Sequence, residues 1–246
     1  MRRQDANGRR TGNCRRLFSS YARRMRRAPH ILAFAVAATI GGPTQRDPWA
    51  ARLGAFTDTP IADLQGVDCV SINAPRAIVW RLLVGPETAA TWMLAGVPGA
   101  IPRRAYYRNG LTASKGDVLS LEATTPDGPR HVDLAVIALQ PGEVLSFLVK
   151  SDEASLLDAA VARLTASFFV EARPDGTTDL TWVSHYDSNS PFAALLSPVE
   201  AYERRSRRLL ALNIFKTLAE SAARLPYPPL HDVPTSPQPT SATLAR

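Results

Sequence analysis

Three residues of this 246-residue chain are the candidates for general acid–base chemistry: His185, Tyr186 and Glu122. A histidine titrates near neutral pH, and a neighbouring carboxylate can fix its tautomer. A histidine beside an acid could therefore move a proton during a ring closure or a dehydration. Further titratable groups lie in the same stretches of strand-like sequence: His131, Asp133 and Asp187.

The alternation of side chains along a strand argues against convergence of these groups. If Leu180 and Trp182 face the interior, Tyr186 faces it too, whereas His185 points to the other side. We therefore expect His185 at the surface or the rim, unless a bulge intervenes. Glu122 is predicted to be a solvated strand residue. The catalytic residues stay undetermined, with His185, Tyr186 and Glu122 as the candidates.

The aromatic residues of the same region could line a binding site for an apolar molecule. Aromatic rings contribute large apolar surfaces to cavities, and they pack protein cores equally well. Both roles are open from the sequence. The residues predicted to contact a ligand are Trp92, Phe168, Trp182, Tyr186 and Phe215.

Metal-binding patterns do not occur in the sequence. Neither His131 nor His185 has another histidine or a cysteine at ligand spacing, and Cys14 and Cys69 are too few for a thiolate site or a disulfide scaffold. Phosphate-cradling and Ser-His-Asp motifs are also missing. We predict no metal site and no cofactor.

Positive charge is concentrated in the N-terminal tail. The formal net charge is +7, yet the first 27 residues hold ten arginines and one aspartate. The rest of the chain has 19 basic and 21 acidic residues, which is close to −2. Because nucleic-acid-binding domains carry positive charge on the folded surface, we predict no nucleic-acid partner.

Residues 1–42 combine this basic run with a short apolar segment, His30 to Gly42. That layout is typical of a secretory signal peptide and is short for a membrane span. We expect export to the periplasm or the medium, or anchoring with peripheral membrane contact through this segment. A disordered extension of a cytoplasmic protein is the alternative. The true start is Met1 or Met25, because Met25 begins a more ordinary signal sequence.

Regular patterning is confined to residues 67–225, about one domain's worth. Residues 43–66 are predicted to form a linker, and the Pro/Ser/Thr-rich residues 226–246 a disordered tail. Short alternating segments joined by Pro-Asp-Gly and Pro-Gly turns predict an antiparallel meander from Val118 to Tyr186. Apolar residues at three- and four-residue steps predict one long helix over Ser197–Leu225.

The order of these segments resembles the helix-grip fold of the START-related superfamily called SRPBCC. The opening phrase Val70-Ser71-Ile72-Asn73-Ala74-Pro75-Arg76-Ala77-Ile78-Val79-Trp80, followed by Pro86-Glu87 and Trp92, is similar to the polyketide cyclase/dehydrase-like and Hsp90-activator-homology-like branches. The resemblance implies an α+β domain. In it, a curved antiparallel β-sheet wraps around a long C-terminal α-helix, and two short helices follow the first strand.

The resemblance also implies a cavity between sheet and helix, where a small hydrophobic molecule of lipid, polyketide or aromatic type would bind. A non-enzymatic binding or carrier protein is the first function hypothesis. The alternative is a polyketide cyclase/dehydratase-like enzyme that uses His185, Tyr186 or Glu122 for proton transfer. A third hypothesis, an Hsp90-type interaction module, conflicts with export. The sequence predicts no particular ligand or oligomeric state.

Overall fold

The computed structural model describes residues 47–62, 64–152, 161–188 and 193–225. The predictions for residues 1–42 and 226–246 lie outside them. The elements in chain order are α1 (Pro48–Gly54), β1 (Leu64–Ile72), α2 (Arg76–Val84), α3 (Ala89–Met93), β2 (Ile101–Tyr107), β3 (Val118–Thr125), β4 (Gly128–Gln140), β5 (Val144–Asp152), β6 (Val161–Ala172), β7 (Thr178–Ser188) and α4 (Ala193–Arg224).

The strands form one seven-stranded antiparallel sheet in the order β1-β7-β6-β5-β4-β3-β2. Consecutive strands from β2 to β7 are neighbours because tight turns connect most of them. At the β6–β7 turn, Gly176 adopts a φ of 83°, and the Asp175 carboxylate accepts a hydrogen bond from the Thr177 amide. The first strand closes the far edge against β7. This arrangement confirms the helix-grip α+β fold.

The inner face of the sheet carries the main hydrophobic core. Helix α4 covers this face with a stripe of fully buried residues, Ala211, Leu212, Phe215 and Ala219. The helix has 32 residues, so at 1.5 Å per residue it extends for about 48 Å. Most of its stability therefore comes from this packed stripe rather than from helix propensity. No described helix is both long and apolar enough to cross a membrane.

Polar contacts fix α4 against the first strand. The carboxylate of Asp68 is 1% exposed and accepts hydrogen bonds from Arg208 Nε at 2.7 Å and from Arg205 Nε at 3.3 Å. Nearer the helix C-terminus, Lys216 Nζ donates to the Ser71 carbonyl at 2.8 Å. A buried carboxylate needs such partners, because an unpaired buried charge is costly. These contacts set the position of the helix over the sheet.

A second, smaller core lies on the outer face of the sheet. Leu53 of α1 is fully buried there against residues of the central strands, including Phe169 and Val183. The rings of Trp49 and Phe169 are 4.9 Å apart. Residues 43–66, predicted to be a linker, thus include a helix and the start of β1. Helix α1 has seven residues and one buried side chain, too little periodicity for detection in the sequence.

Candidate functional site

A cavity of about 100 Å³ lies between the inner face of the sheet and the N-terminal half of α4. Its floor consists of apolar side chains on the strands, and residues near α3 close one side. The apolar wall includes Met93, Val97, Leu121, Leu134, Phe147 and Ala166. A concave, mostly apolar site with a few polar groups is the usual form of a small-molecule site.

Two of the predicted ligand contacts, Trp182 and Tyr186, line this cavity. They lie on β7 at a spacing of four residues, with Ser184 between them, so all three point to the inner face. The fully buried Leu180 continues the same row. The alternation along β7 is therefore regular, as the sequence predicted.

The other three predicted contacts, Trp92, Phe168 and Phe215, do not line the cavity. They are fully buried in an aromatic cluster beside it. The ring centroids of Trp92 and Phe215 are 5.1 Å apart, and those of Phe168 and Trp182 are 5.0 Å apart. Of the two roles left open by the sequence, the structure gives these rings the core-packing one. Through Trp182 they support the cavity wall.

One end of the cavity is polar, and arginines of α4 form it. The guanidinium of Arg204 donates a hydrogen bond from Nη1 to the Tyr186 hydroxyl at 2.8 Å and lies 4.9 Å from the centre of the same ring. This double contact, a hydrogen bond and a cation–π interaction, places a positive charge at the cavity wall. Arg207 and Arg208 belong to the same wall.

These arginines are not among the residues that the sequence predicted to contact a ligand, since arginines on a helix usually face solvent. In the structure the Arg208 side chain is only 11% exposed. Their spacing along the helix could have identified them in the sequence. Residues 204, 208, 211 and 215 follow helical steps of four, three and four, so they share one face with the buried Phe215.

The prediction that His185 lies at the surface or the rim is wrong. Its side chain points to the outer face, as the alternation required, but it is 0% exposed because α1 covers that face. Its Nε2 lies 2.7 Å from Oδ2 of Asp47, the residue that precedes α1. Its Nδ1 is buried and has no hydrogen-bond partner among the described residues.

Glu122 lies on the outer face of β3, where Arg104 binds it through two hydrogen bonds of 2.7 and 3.0 Å. The hydrogen bond from Arg104 is the main reason why the pKa of Glu122 lies below its ordinary value, and it outweighs burial, which acts in the opposite direction. Glu122 is thus held ionised at neutral pH, with its side chain 29% exposed. As predicted, it is a partly solvated strand residue.

The three candidate proton-transfer residues are therefore not brought together. Tyr186 faces the cavity, His185 is buried on the opposite face of the same strand, and Glu122 lies on the outer face four strands away. Within the described ranges, no three side chains of His, Cys, Asp or Glu come close enough to hold a metal ion.

The fold and the cavity together define a class: an α+β helix-grip domain with a cavity between its sheet and its long C-terminal helix. No family model matches the sequence, and no curated protein is similar to it. Solved structures with a similar course of the chain include an aromatase/cyclase from Streptomyces sp. R1128, at 17% identity over 65% of this chain and 94% of that one, with a TM-score of 0.46.

Two further solved structures have a similar course of the chain. The major latex-like protein 151 of Panax ginseng is 13% identical over 65% of this chain and 97% of its own, with a TM-score of 0.45. Ara h 8.0201 is 12% identical over 63% of this chain and 99% of its own, with a TM-score of 0.46.

Proposed function

We propose that this domain binds a small hydrophobic molecule in the cavity between the sheet and α4, as a binding or carrier protein. The observation that carries the proposal is the cavity itself, an apolar concave surface at which Trp182 and Tyr186 present their rings. Burial of apolar surface contributes about 25 cal/mol per Å². A molecule with an apolar body is therefore the ligand that this wall stabilises best.

The spread of the proton-transfer candidates supports binding over the cyclase/dehydratase alternative. A general acid or base must come within hydrogen-bond reach of the group it protonates or deprotonates. Of the three candidates, Tyr186 alone borders the cavity, and its hydroxyl accepts a hydrogen bond from Arg204. His185 is on the far side of the sheet. The contacts of the described residues therefore favour a binding role.

The small cavity volume, about 100 Å³, favours a compact ligand over a long lipid. Pockets for drug-sized molecules typically measure about 300 to 1,000 Å³. An aromatic or short aliphatic compound matches the available space. Trp182 lies next to such a compound in the proposed complex.

The test is a calorimetric titration of the purified chain with 2-naphthalenemethanol, a neutral aromatic probe. We expect saturable binding at one site and a loss of at least about tenfold in affinity for Trp182→Ala, which is about 1.4 kcal/mol. Trp80→Ala is the matched control, because Trp80 is on α2 and outside the cavity wall. Circular dichroism and thermal unfolding must first show that both variants are folded.

Native mass spectrometry of the gently purified chain complements this titration, because it detects a ligand carried from the cell. A co-purified small molecule that is lost in Trp182→Ala supports the proposal. Absence of probe binding by the well-folded wild type, or equal binding by wild type and Trp182→Ala, would contradict it.

A further inference from the structure

Arg207 is a half-buried cation in the wall of an apolar cavity. Its neighbours Arg205 and Arg208 share the carboxylate of Asp68, and Arg204 binds Tyr186. Arg207 itself makes no ion pair with any described residue. A guanidinium that is partly removed from water and lacks a counter-charge carries a desolvation cost. An anion in the cavity would offset that cost.

The stem of Arg207 lies beside the connection between α3 and β2. Gly96 in this connection has a φ of 75°, and a Cβ placed on it would lie 3.5 Å from Cγ of Arg207. The backbone thus approaches the arginine side chain closely. A side chain whose stem is fixed by packing loses less conformational entropy when its head group binds a ligand.

A second polar group lies in the same wall. Ser184 is 4% exposed, faces the cavity from β7, and has a hydroxyl that can donate a hydrogen bond. A cation and a hydroxyl donor in the wall of one apolar cavity suit an oxyanion attached to an apolar body. The planar guanidinium matches carboxylate and phosphate groups equally, because both present two oxygens to its paired N–H groups.

Resting on the proposed binding function, we propose that the ligand is an amphipathic acid: a compact apolar body that carries a carboxylate or phosphate. Arg207 binds the oxyanion, and Ser184 donates a second hydrogen bond to it. The apolar wall around Trp182 holds the body. The proposal thus narrows the ligand class from hydrophobic molecules in general to organic anions.

The experiment compares three ligands that share one ring system: 2-naphthoate, 2-naphthyl phosphate and the neutral 2-naphthalenemethanol. Each is titrated by calorimetry into wild type, Arg207→Met and Arg224→Met at one salt concentration. Methionine preserves the apolar stem that packs on Gly96 and removes the charge. Arg224→Met is the matched control, because Arg224 is exposed on the same helix, about 25 Å along its axis at 1.5 Å per residue.

We expect the wild type to bind at least one of the two acids about tenfold or more tightly than the alcohol, the usual worth of a hydrogen bond to a charged group. Arg207→Met should abolish this preference and keep the affinity for the alcohol, and Arg224→Met should behave like the wild type. A preference for naphthoate or for naphthyl phosphate identifies the oxyanion.

Equal affinity of the wild type for the acids and the alcohol would overturn the inference and leave the proposed binding function standing. Parallel weakening of all three ligands in Arg207→Met would also overturn it, because the arginine would then act through packing. Failure of the wild type to bind any of the three would contradict the binding function and the inference together.

Discussion

The carboxylate of Asp47 joins the start of α1 to His185 on the outer face of β7. One carboxylate oxygen, Oδ1, accepts a hydrogen bond from the Trp49 amide at 2.9 Å and so caps the helix. The other, Oδ2, lies 2.7 Å from Nε2 of His185, which is fully buried. A single side chain therefore caps α1 and gives a buried imidazole its polar partner, and so adds a polar tie to the apolar packing of α1 on the sheet.

Asp47→Ala should lower the free energy of unfolding by about 2 to 4 kcal/mol, the sum of a lost helix cap and an unsatisfied buried imidazole nitrogen. Chemical denaturation measures this change. Asp47→Asn is the milder comparison: asparagine caps helices as well as aspartate does, so its effect isolates the removal of the carboxylate charge beside His185. Probe binding in the cavity should not change, since α1 lies on the opposite face. An Asp47→Ala variant as stable as the wild type would contradict this role.

The Asp47–His185 contact also shows where sequence reasoning ends. Alternation along β7 correctly placed Tyr186 toward the interior and His185 away from it, because the pleat is local and regular. What covers the outer face is decided by a short helix more than a hundred residues earlier in the chain. The sequence offers only a proline-containing segment there, so solvent was the wrong expectation.

The long helix and the strands were predictable because each presents a sustained period. The residues of the cavity wall were only partly predictable from the sequence. The alternation along β7 identified Trp182 and Tyr186. Whether an aromatic residue packs in the core or lines the cavity depends on how close α4 lies to the sheet, and this applies to Trp92, Phe168 and Phe215. The distance between α4 and the sheet is set by non-local contacts such as the Asp68–Arg208 pair. The residue pattern of one strand or one helix does not indicate such contacts.

Phe215→Ala should destabilise the domain by about 3 to 5 kcal/mol, the usual cost of truncating a buried phenylalanine. Phe215 is fully buried and packs edge-on against Trp92. Leu225→Ala, immediately after the same helix, is the matched control because Leu225 is 68% exposed. It should change stability by less than about 0.5 kcal/mol. Similar losses for both variants in urea denaturation would contradict the assignment of the α4 stripe.

Asp133→Asn should reduce stability at neutral pH and leave it almost unchanged in acid. Burial of Asp133 acts to raise its pKa, but the hydrogen bond from Ser120 and the charge of Arg108 outweigh it, so the pKa lies below the ordinary value. A carboxyl whose pKa is depressed on folding stabilises the protein above its unfolded pKa, which is about 3.9, and loses this contribution as pH falls through the folded value.

The difference in unfolding free energy between the wild type and Asp133→Asn should therefore be constant from neutral pH down to about pH 4 and shrink below it. Urea denaturation across this pH range measures the difference. Asp127→Asn is the control, because Asp127 is exposed in the β3–β4 turn. A difference that grew toward acid pH would show that the interactions of Asp133 favour its protonated form.

The most direct test of the binding account fills the cavity and leaves the rest of the domain intact. Ala166 lines the cavity from β6, whereas Ala172 is exposed at the end of the same strand. Calorimetric titration with 2-naphthalenemethanol should show that Ala166→Leu loses at least about tenfold in affinity, or about 1.4 kcal/mol, while Ala172→Leu binds like the wild type. Unchanged binding by a folded Ala166→Leu variant would show that the probe sits elsewhere and would contradict the account.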